Sequence, residues 1–478
     1  MTTTRLSFSL ALIISLAACQ HSDIPPIDTR ISLPTSFEHS PDNPSKTDIR
    51  TWWRHFQDPI LNRLIDDALA NAPDIAIAKA RMEQAQATAA LADNDKNPLL
   101  GATAGAGIAL GNLDNPLSNA LLTPIGDSLA PAAHSRQSAL IGSWTADFFG
   151  KKQSDTDAAY YAYLSETERL HGAQILLAAH IARHYIEARH IEAHSRILQT
   201  QKSALQELAR YAAGRFAAGQ ASQYDREDLA TKIAALNAQI AGLDAERSNH
   251  ITHIAALAGK TELHITADGG KLFASLPAAP GGHYPAELIT RRPDIRARKA
   301  AVLARSAQVA SAEADFYPRF SLNFALAEGR IGLDGDLLQH SLGGNGAGLG
   351  INLQLPIFTA GRLQAQLDKA EAQLRQALAE YDQTLLNALA EAQNSYRLAA
   401  ALEKQAQSLN KALQHSETQI AQARSLFKYG RETFDTIPSA ILNAAEYRTH
   451  QLANRRGYAL NLIQLYSALG GGWEQHTP

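Results

Sequence analysis

Two helix-length runs without a breaker constrain this chain more than any other feature. From Gln153 to Ala213 there is no proline and a single glycine, Gly172; from Arg362 to Tyr429 there is neither. About 60 residues of helix at 1.5 Å each span about 90 Å. Ala, Leu, Gln, Glu, Arg and Lys dominate both runs, all good helix formers. In the first, Leu164, Leu170, Leu176, Leu177, Ile181 and Ile186 make a narrow apolar stripe. In the second, Leu363, Leu367, Leu374, Leu378, Leu385 and Leu389 follow near-heptad steps. Such helices cannot bury themselves in a globule; the pattern predicts a helical array.

The two runs are copies. Phe216 recurs as Phe427 and Gly219 as Gly430, each 211 positions on. A second helix follows each break, Tyr224–Ala258 and Phe434–Leu469, ending at Gly259 and Gly470. Upstream, Pro73-Asp74-Ile75 recurs as Pro293-Asp294-Ile295, and Asn97-Pro98 as Tyr317-Pro318, at an offset of 220. The chain is therefore a tandem repeat. The change of offset places about nine extra residues in the first copy between Pro98 and Gly150, in a loop.

Between the helices the texture changes. Over Pro318–Ala327, Phe320, Leu322, Phe324 and Leu326 alternate with Ser321, Asn323, Ala325 and Ala327. Gly348–Leu355 alternates in the same way. Period two over about ten residues fits transmembrane β-strands. The first copy supplies Leu99–Leu110 and Ser138–Phe148. Gly111–Arg136 and Glu328–Gly346, rich in Gly, Asn, Asp and Ser, read as long loops. Each repeat thus reads helix, strand, loop, strand, very long helix, break, long helix. The helices preceding the strands are Pro73–Lys96 and Pro293–Phe316. Four strands cannot close a barrel, and open edges are not tolerated in a bilayer, so several copies must combine.

At the N-terminus, Arg5 precedes an apolar stretch, Phe8–Ala18, too short to span a membrane, as in a secretory signal. Its end, Leu16-Ala17-Ala18-Cys19, holds the chain's single cysteine and resembles a bacterial lipobox. That resemblance implies cleavage before Cys19, a lipid on its thiol and, with Gln20 rather than Asp following, sorting to the outer membrane. A proline-rich stretch to about Lys46 reads as a tether. Helix Ile60–Ala70 follows, preceded by Trp52-Trp53, which reads as core packing in preference to a membrane-surface belt. The segments are residues 1–18 (signal), 19–50 (lipidated tether), 51–260 (first repeat), 261–292 (linker), 293–472 (second repeat) and 473–478 (tail).

Leu16–Cys19, Trp52-Trp53 with Phe56 and Asp58, Arg291-Arg292-Pro293-Asp294-Ile295 and the two glycine-centred tips together resemble the TolC/NodT family of outer-membrane efflux proteins, lipoprotein branch. The resemblance implies a mixed α+β membrane protein. Three chains would build a 12-stranded β-barrel continued by a periplasmic α-helical barrel. It also implies a passive, gated duct exporting small molecules, docked to a periplasmic adaptor and an inner-membrane pump, commonly of the resistance–nodulation–division type. In the arginine motif, Pro293 suits a helix start and Asp294 is favoured by the helix dipole.

A gate in such a pore works by narrowing and by symmetry-repeated charge. Its candidates are Tyr429, Arg431, Glu432 and Asp435 in the second tip, with Arg215, Tyr224 and Asp225 in the first, linked between tips by ion pairs or hydrogen bonds. Gly219 and Gly430 would form turns that let an adaptor approach, and Ser222 and Thr433 would cap the returning helices.

Other chemistry is weakly supported. A net charge of −3 carries no basic patch toward nucleic acid. His180/His184 and His190/His194 have metal-compatible i,i+4 spacing, but no HExxH or cysteine joins them, and solvated helix surface is the better reading. No nucleophile elbow or Walker motif is present, so neither catalysis nor a cofactor beyond the lipid is expected. The rival functions are a lipid-anchored periplasmic coiled-coil scaffold or adaptor and, more weakly, a metal-binding lipoprotein.

Overall fold

The structure, a computed structural model, describes residues 31–41, 47–110, 132–267, 271–335 and 338–473. Cys19, the signal sequence, part of the tether and most of the first inter-strand connection lie outside the described residues.

After a 3₁₀ turn at Trp52–Phe56, the helices are α1 (Pro59–Asn71), α2 (Pro73–Asn94), α3 (Lys151–Ala217), α4 (Gln223–Leu257), the short α5 (Leu288–Arg291), α6 (Pro293–Ala314), α7 (Arg362–Lys428) and α8 (Thr436–Ala468). The strands are β1 (Leu99–Leu110), β2 (Ala132–Ala146), β3 (Arg319–Gly335) and β4 (Leu338–Gln354). The repeat is visible in the lengths: α2 and α6 each have 22 residues, and α3 and α7 each have 67. At 1.5 Å per residue, α3 and α7 are each about 100 Å long. No helix among the described residues is long and apolar enough to cross a membrane.

The chain divides into two compact units. The first, Ala85–Tyr163 with Ala301–Ala377, contains one antiparallel sheet in the order β1-β2-β3-β4. Here the structure corrects the sequence-based loops. The ladder between β3 and β4 runs from Arg319↔Gln354 to Gly335↔Leu338, so the stretch assigned to a loop over Glu328–Gly346 is largely strand. Residues 132–136, assigned to the other loop, belong to β2. Backbone pairing satisfies these strands without a side-chain pattern. Below the sheet the helix ends are tied by Lys151–Asp315 at 2.9 Å, Lys152–Asp95 at 2.6 Å and the Ser311 hydroxyl donating to Asp155 at 2.5 Å.

The second unit, Ile27–Gln84 with Leu164–Ala300 and Leu378–Pro478, holds the largest core. Trp52 and Trp53 are buried in it, as the core reading expected. Trp52 stacks on Tyr466 at 5.5 Å and meets Trp53 and Phe56 edge-on. Asp58 caps α1 and accepts a 2.6 Å hydrogen bond from the Tyr185 hydroxyl. Arg189 donates to that hydroxyl at 2.8 Å and to the Thr266 carbonyl at 2.7 Å. Burial, reinforced by Asp58, pushes the Tyr185 phenol far above its usual range. The arginine motif ties three helices of the second repeat together. Arg292, buried, pairs with Asp294 at 2.6 Å and Glu391 at 2.8 Å and donates to the Ala468 carbonyl at 3.0 Å. Pro293 opens α6 and Asp294 lies in its first turn, as expected. The segment 261–292, predicted as plain linker, carries a 3₁₀ turn (Pro285–Glu287) and α5.

Candidate pore wall and gate

Strand pleating sorts the sheet into two chemically different faces. One carries Leu140 and Trp144 of β2, Phe320, Leu322, Phe324 and Leu326 of β3, and Leu349, Ile351 and Leu353 of β4. Most of these are exposed in the single chain. The opposite face carries mostly small or polar residues, Gly101, Ser143, Ser321, Asn323, Gly350, Asn352 and Gln354, with Leu99 and Ile141 among them. Apolar on one side and small or polar on the other is the division between lipid and lumen in a membrane barrel. At the base of the apolar face an aromatic cluster forms: Phe148 packs edge-on against Phe320 at 5.2 Å, and Phe149 stacks on Tyr317 at 4.9 Å. The sheet's outer edges, on β1 and β4, have no strand partner within the described chain.

The tips are built twice by one device. Gly219 and Gly430 have φ of +74° and +67°, left-handed values that favour glycine. In the first tip the Gln220 N–H donates to the Arg215 carbonyl and the Gly219 N–H to that of Phe216. In the second tip the Arg431 N–H donates to the Leu426 carbonyl and the Gly430 N–H to that of Phe427, repeating the pattern. These are paired Schellman closures, which satisfy the last carbonyls of α3 and α7. The same closure ends the returning helices at Gly259 and Gly470.

The returning helices start differently. Ser222 caps α4 in a full capping box, its hydroxyl accepting from Asp225 N–H while the Asp225 carboxylate accepts from Ser222 N–H at 2.9 Å. These bonds hold the Asp225 carboxyl below its usual range. Thr433 does not cap α8, which corrects the sequence expectation. Asp435 occupies the N-cap position in helical backbone geometry, with no side-chain cap bond. The chain turns early there because the Thr433 carbonyl already accepts from Thr436.

The gate candidates Tyr429, Arg431, Glu432, Asp435, Arg215, Tyr224 and Asp225 are all exposed, Tyr224 and Tyr429 by 78% and 73%. The structure brings them to the two tips but joins none across them: among the described residues no ion pair or hydrogen bond runs from one tip's candidates to the other's. The predicted inter-tip bonds are therefore absent within one chain. Apolar and aromatic packing does that work instead. Phe434 lies 5.0 Å from Tyr211 of α3 and 5.5 Å from Phe427. Leu205, Ala212 and Leu229 form a buried cluster against Leu442 of α8. Arg215 lies over Tyr211, and Arg226 over Phe216 at 4.8 Å. Sequence reasoning missed Tyr211 and Phe434. Phe434 has no repeat counterpart, since Gln223 stands at that place, so the repeat masked the signal.

Of the histidine pairs, His180 is exposed, as the solvated reading expects, whereas His184, His190 and His194 are half-buried. His184 Nδ1 lies 2.9 Å from His250 Nδ1, and its ring stacks on His253 at 4.9 Å. Burial, with His250 and His253 nearby, pushes His184 down to about 4; burial and Arg456 do the same for His190. Among the described residues no cluster of three or more His, Cys, Asp or Glu is arranged to hold a metal.

The comparisons agree with this geometry. The profile of the outer membrane efflux protein family matches residues 64–260 and 284–471. The pyoverdine export outer membrane protein OpmQ of Pseudomonas aeruginosa is 29% identical over 96% of this chain and 95% of its own. The cation efflux system protein CusC of Escherichia coli O6:H1 is 28% identical over 89% and 88%. The open-state MtrE outer membrane channel of Neisseria gonorrhoeae superposes with a TM-score of 0.76 at 23% identity, covering 94% of this chain and 98% of that one. A tandem repeat, a sheet with a lipid-type and a lumen-type face, and a family match over most of the chain lead to one conclusion: the chain belongs to the outer membrane efflux protein family and is an efflux channel of the outer membrane.

Proposed function

We propose that this chain acts as a homotrimer, lipidated at Cys19, forming the passive outer-membrane duct of a tripartite efflux system. The observation that carries oligomerisation is the four-stranded sheet with one apolar face and, among the described residues, two unpartnered edges; the number three follows the resemblance to the TolC/NodT family. In a bilayer those edges must be paired, and three copies would close a 12-stranded barrel. The wall then offers chiefly Gly, Ser, Asn and Gln to the lumen. Substrate choice would rest with an inner-membrane pump, of the resistance–nodulation–division type, joined through a periplasmic adaptor at Gly219, Ser222, Gly430 and Thr433. No catalysis is involved in this reading. The exposed tip side chains, not bonded from one tip to the other within a chain, would meet their symmetry mates and narrow the entrance.

Single-channel conductance in planar bilayers tests the duct and the gate together. Wild type should insert and give small steps, and Asp435→Ala and Arg431→Ala should enlarge them. Unchanged steps in both variants would remove these residues from the gate and leave the duct standing. Folded oligomers that never insert would favour the periplasmic scaffold. Cys19→Ala should abolish incorporation of radiolabelled palmitate; continued labelling would refute lipidation at that thiol.

A further inference from the structure

On β3 the apolar side of the sheet ends abruptly, although Ile108 of β1 lies beyond Arg136 on the same face. Above Leu326 the next position on that face is Glu328, and the next Arg330. In register, Ser138 and Asn345 flank Glu328, and Arg136 and Gly343 flank Arg330. Arg136 and Arg330 are thus directly opposed on neighbouring strands, where side chains on one face stand about 5 Å apart at Cβ. Like charges placed so are unfavourable. Neither guanidinium has a hydrogen bond or ion pair among the described residues. The carboxylate nearest in register, Glu328, is engaged by the Ser138 hydroxyl at 3.2 Å and pairs with neither arginine. The surroundings are small: Ala106 stands opposite Arg136 on β1, and a Cβ at Gly343 would come 3.1 Å from Arg330 Nε. Arg136, Arg330, Glu328, Ala106 and Gly343 are among the residues lining a recess of about 630 Å³.

The height of the pair gives it meaning. Phe320, beside the aromatic cluster, and Arg330 share a face ten residues apart, about 33 Å of strand. At the 35–45° tilt of membrane barrels this rises about 25 Å, the height of the apolar band of such barrels. The two arginines therefore stand where the far leaflet's headgroups begin. We propose that Arg136 and Arg330 form a clamp for the phosphate of a phosphorylated glycolipid in the outer leaflet. Guanidinium pairs suit this ligand, because each presents a planar donor fork to phosphate oxygens. An anion between them relieves their repulsion, while the lipid's acyl chains lie on the apolar face below. Both arginines lie on the two central strands, so the clamp is complete within one chain. This inference rests on the sheet being a wall of an outer-membrane barrel.

The test uses full-length protein in neutral detergent, with diphosphorylated lipid A, its dephosphorylated counterpart and inorganic pyrophosphate as probes. Equilibrium binding by native mass spectrometry should favour the diphosphorylated lipid at least tenfold in the wild type. Arg136→Gln with Arg330→Gln should remove that preference, leaving weak binding of the dephosphorylated lipid unchanged. Arg136→Lys with Arg330→Lys, which keeps the charge but loses the forks, should fall between. Equal binding of both lipids by wild type, or a glutamine variant that still discriminates, would overturn the clamp. Saturation by pyrophosphate without competition from lipid A would make it a soluble-anion site and overturn the lipid assignment. Insertion of wild type and variant into phosphatidylcholine vesicles separates the two levels. If both insert without discriminating phosphate, only the clamp fails; if neither inserts, the barrel reading fails.

Discussion

At the scale of single residues, buried charge decides more than the gate candidates do. Arg292 is buried, whereas its partners Asp294 and Glu391 are about half exposed. Arg292→Met would leave both carboxylates partly solvated, so its loss falls below the ~3–5 kcal/mol of a fully buried broken pair. A destabilisation of about 2 kcal/mol is expected, read from the denaturant midpoint. Arg189→Met should cost more, about 3 kcal/mol, because Tyr185 and the Thr266 carbonyl lose a fully buried donor. The histidines set a pH dependence. His184 and His190 titrate near 4 in the folded chain against about 6.5 unfolded, so the unfolded chain binds more protons between those values. Their contribution is present above pH 6.5 and is lost as pH falls toward 4. The melting temperature should drop over that interval, and His184→Gln with His190→Gln should flatten the drop. An equally steep profile in the double variant would assign it to the carboxylates. The i,i+4 spacing of these histidines was plain in sequence, but their burial was not, because His250 and His253 arrive from a different helix.

At the scale of elements, the tips and strands show what periodicity reports. Gly219, Gly430, Gly259 and Gly470 were legible because a left-handed helix end selects glycine locally. The capping box of Ser222 with Asp225 was legible for the same reason, whereas Thr433 has a cap's chemistry without its geometry. Phe434, packed on Tyr211 and Phe427, couples the tips. Phe434→Ala should cost about 1.5 kcal/mol there and speed amide exchange over residues 427–436 about tenfold, with distant helices unaffected. Unchanged exchange would show that the tips are held by something else. The strands β3 and β4 were underestimated for a physical reason. Alternation of large apolar side chains records contact with lipid, and it ceases at Leu326 although the hydrogen-bonded ladder continues to Gly335. The alternation therefore reports only the part of the strand with a one-sided apolar face, and the ladder beyond it leaves no such trace in the sequence.

At the scale of the whole molecule, the two faces of the sheet make opposite predictions for adjacent positions. Ile351 and Asn352 are neighbours on β4 that face opposite sides. Ile351→Lys on the lipid side, level with Leu322 and closer to the aromatic base than to the midplane, should cost about 1–2 kcal/mol and deplete the protein from outer-membrane fractions. Asn352→Lys on the lumen side should leave assembly intact and change ion selectivity. Equal tolerance of both would refute the face assignment. A closed trimer should also migrate as a heat-modifiable species of about three chain masses.

By itself the sequence determined the tandem repeat, the helix-length runs, their glycine-closed ends and the apolar alternation on the sheet's lower half. Each of these is written in residues close together along the chain, where backbone conformation and periodicity act directly. Only the tertiary structure decided what meets across the fold: the Arg292 pair with Glu391, the imidazole packing of His184, the Tyr211–Phe434 contact and the opposition of Arg136 to Arg330. Those contacts join residues far apart in the chain, and their energies depend on distance and burial, which no local pattern encodes.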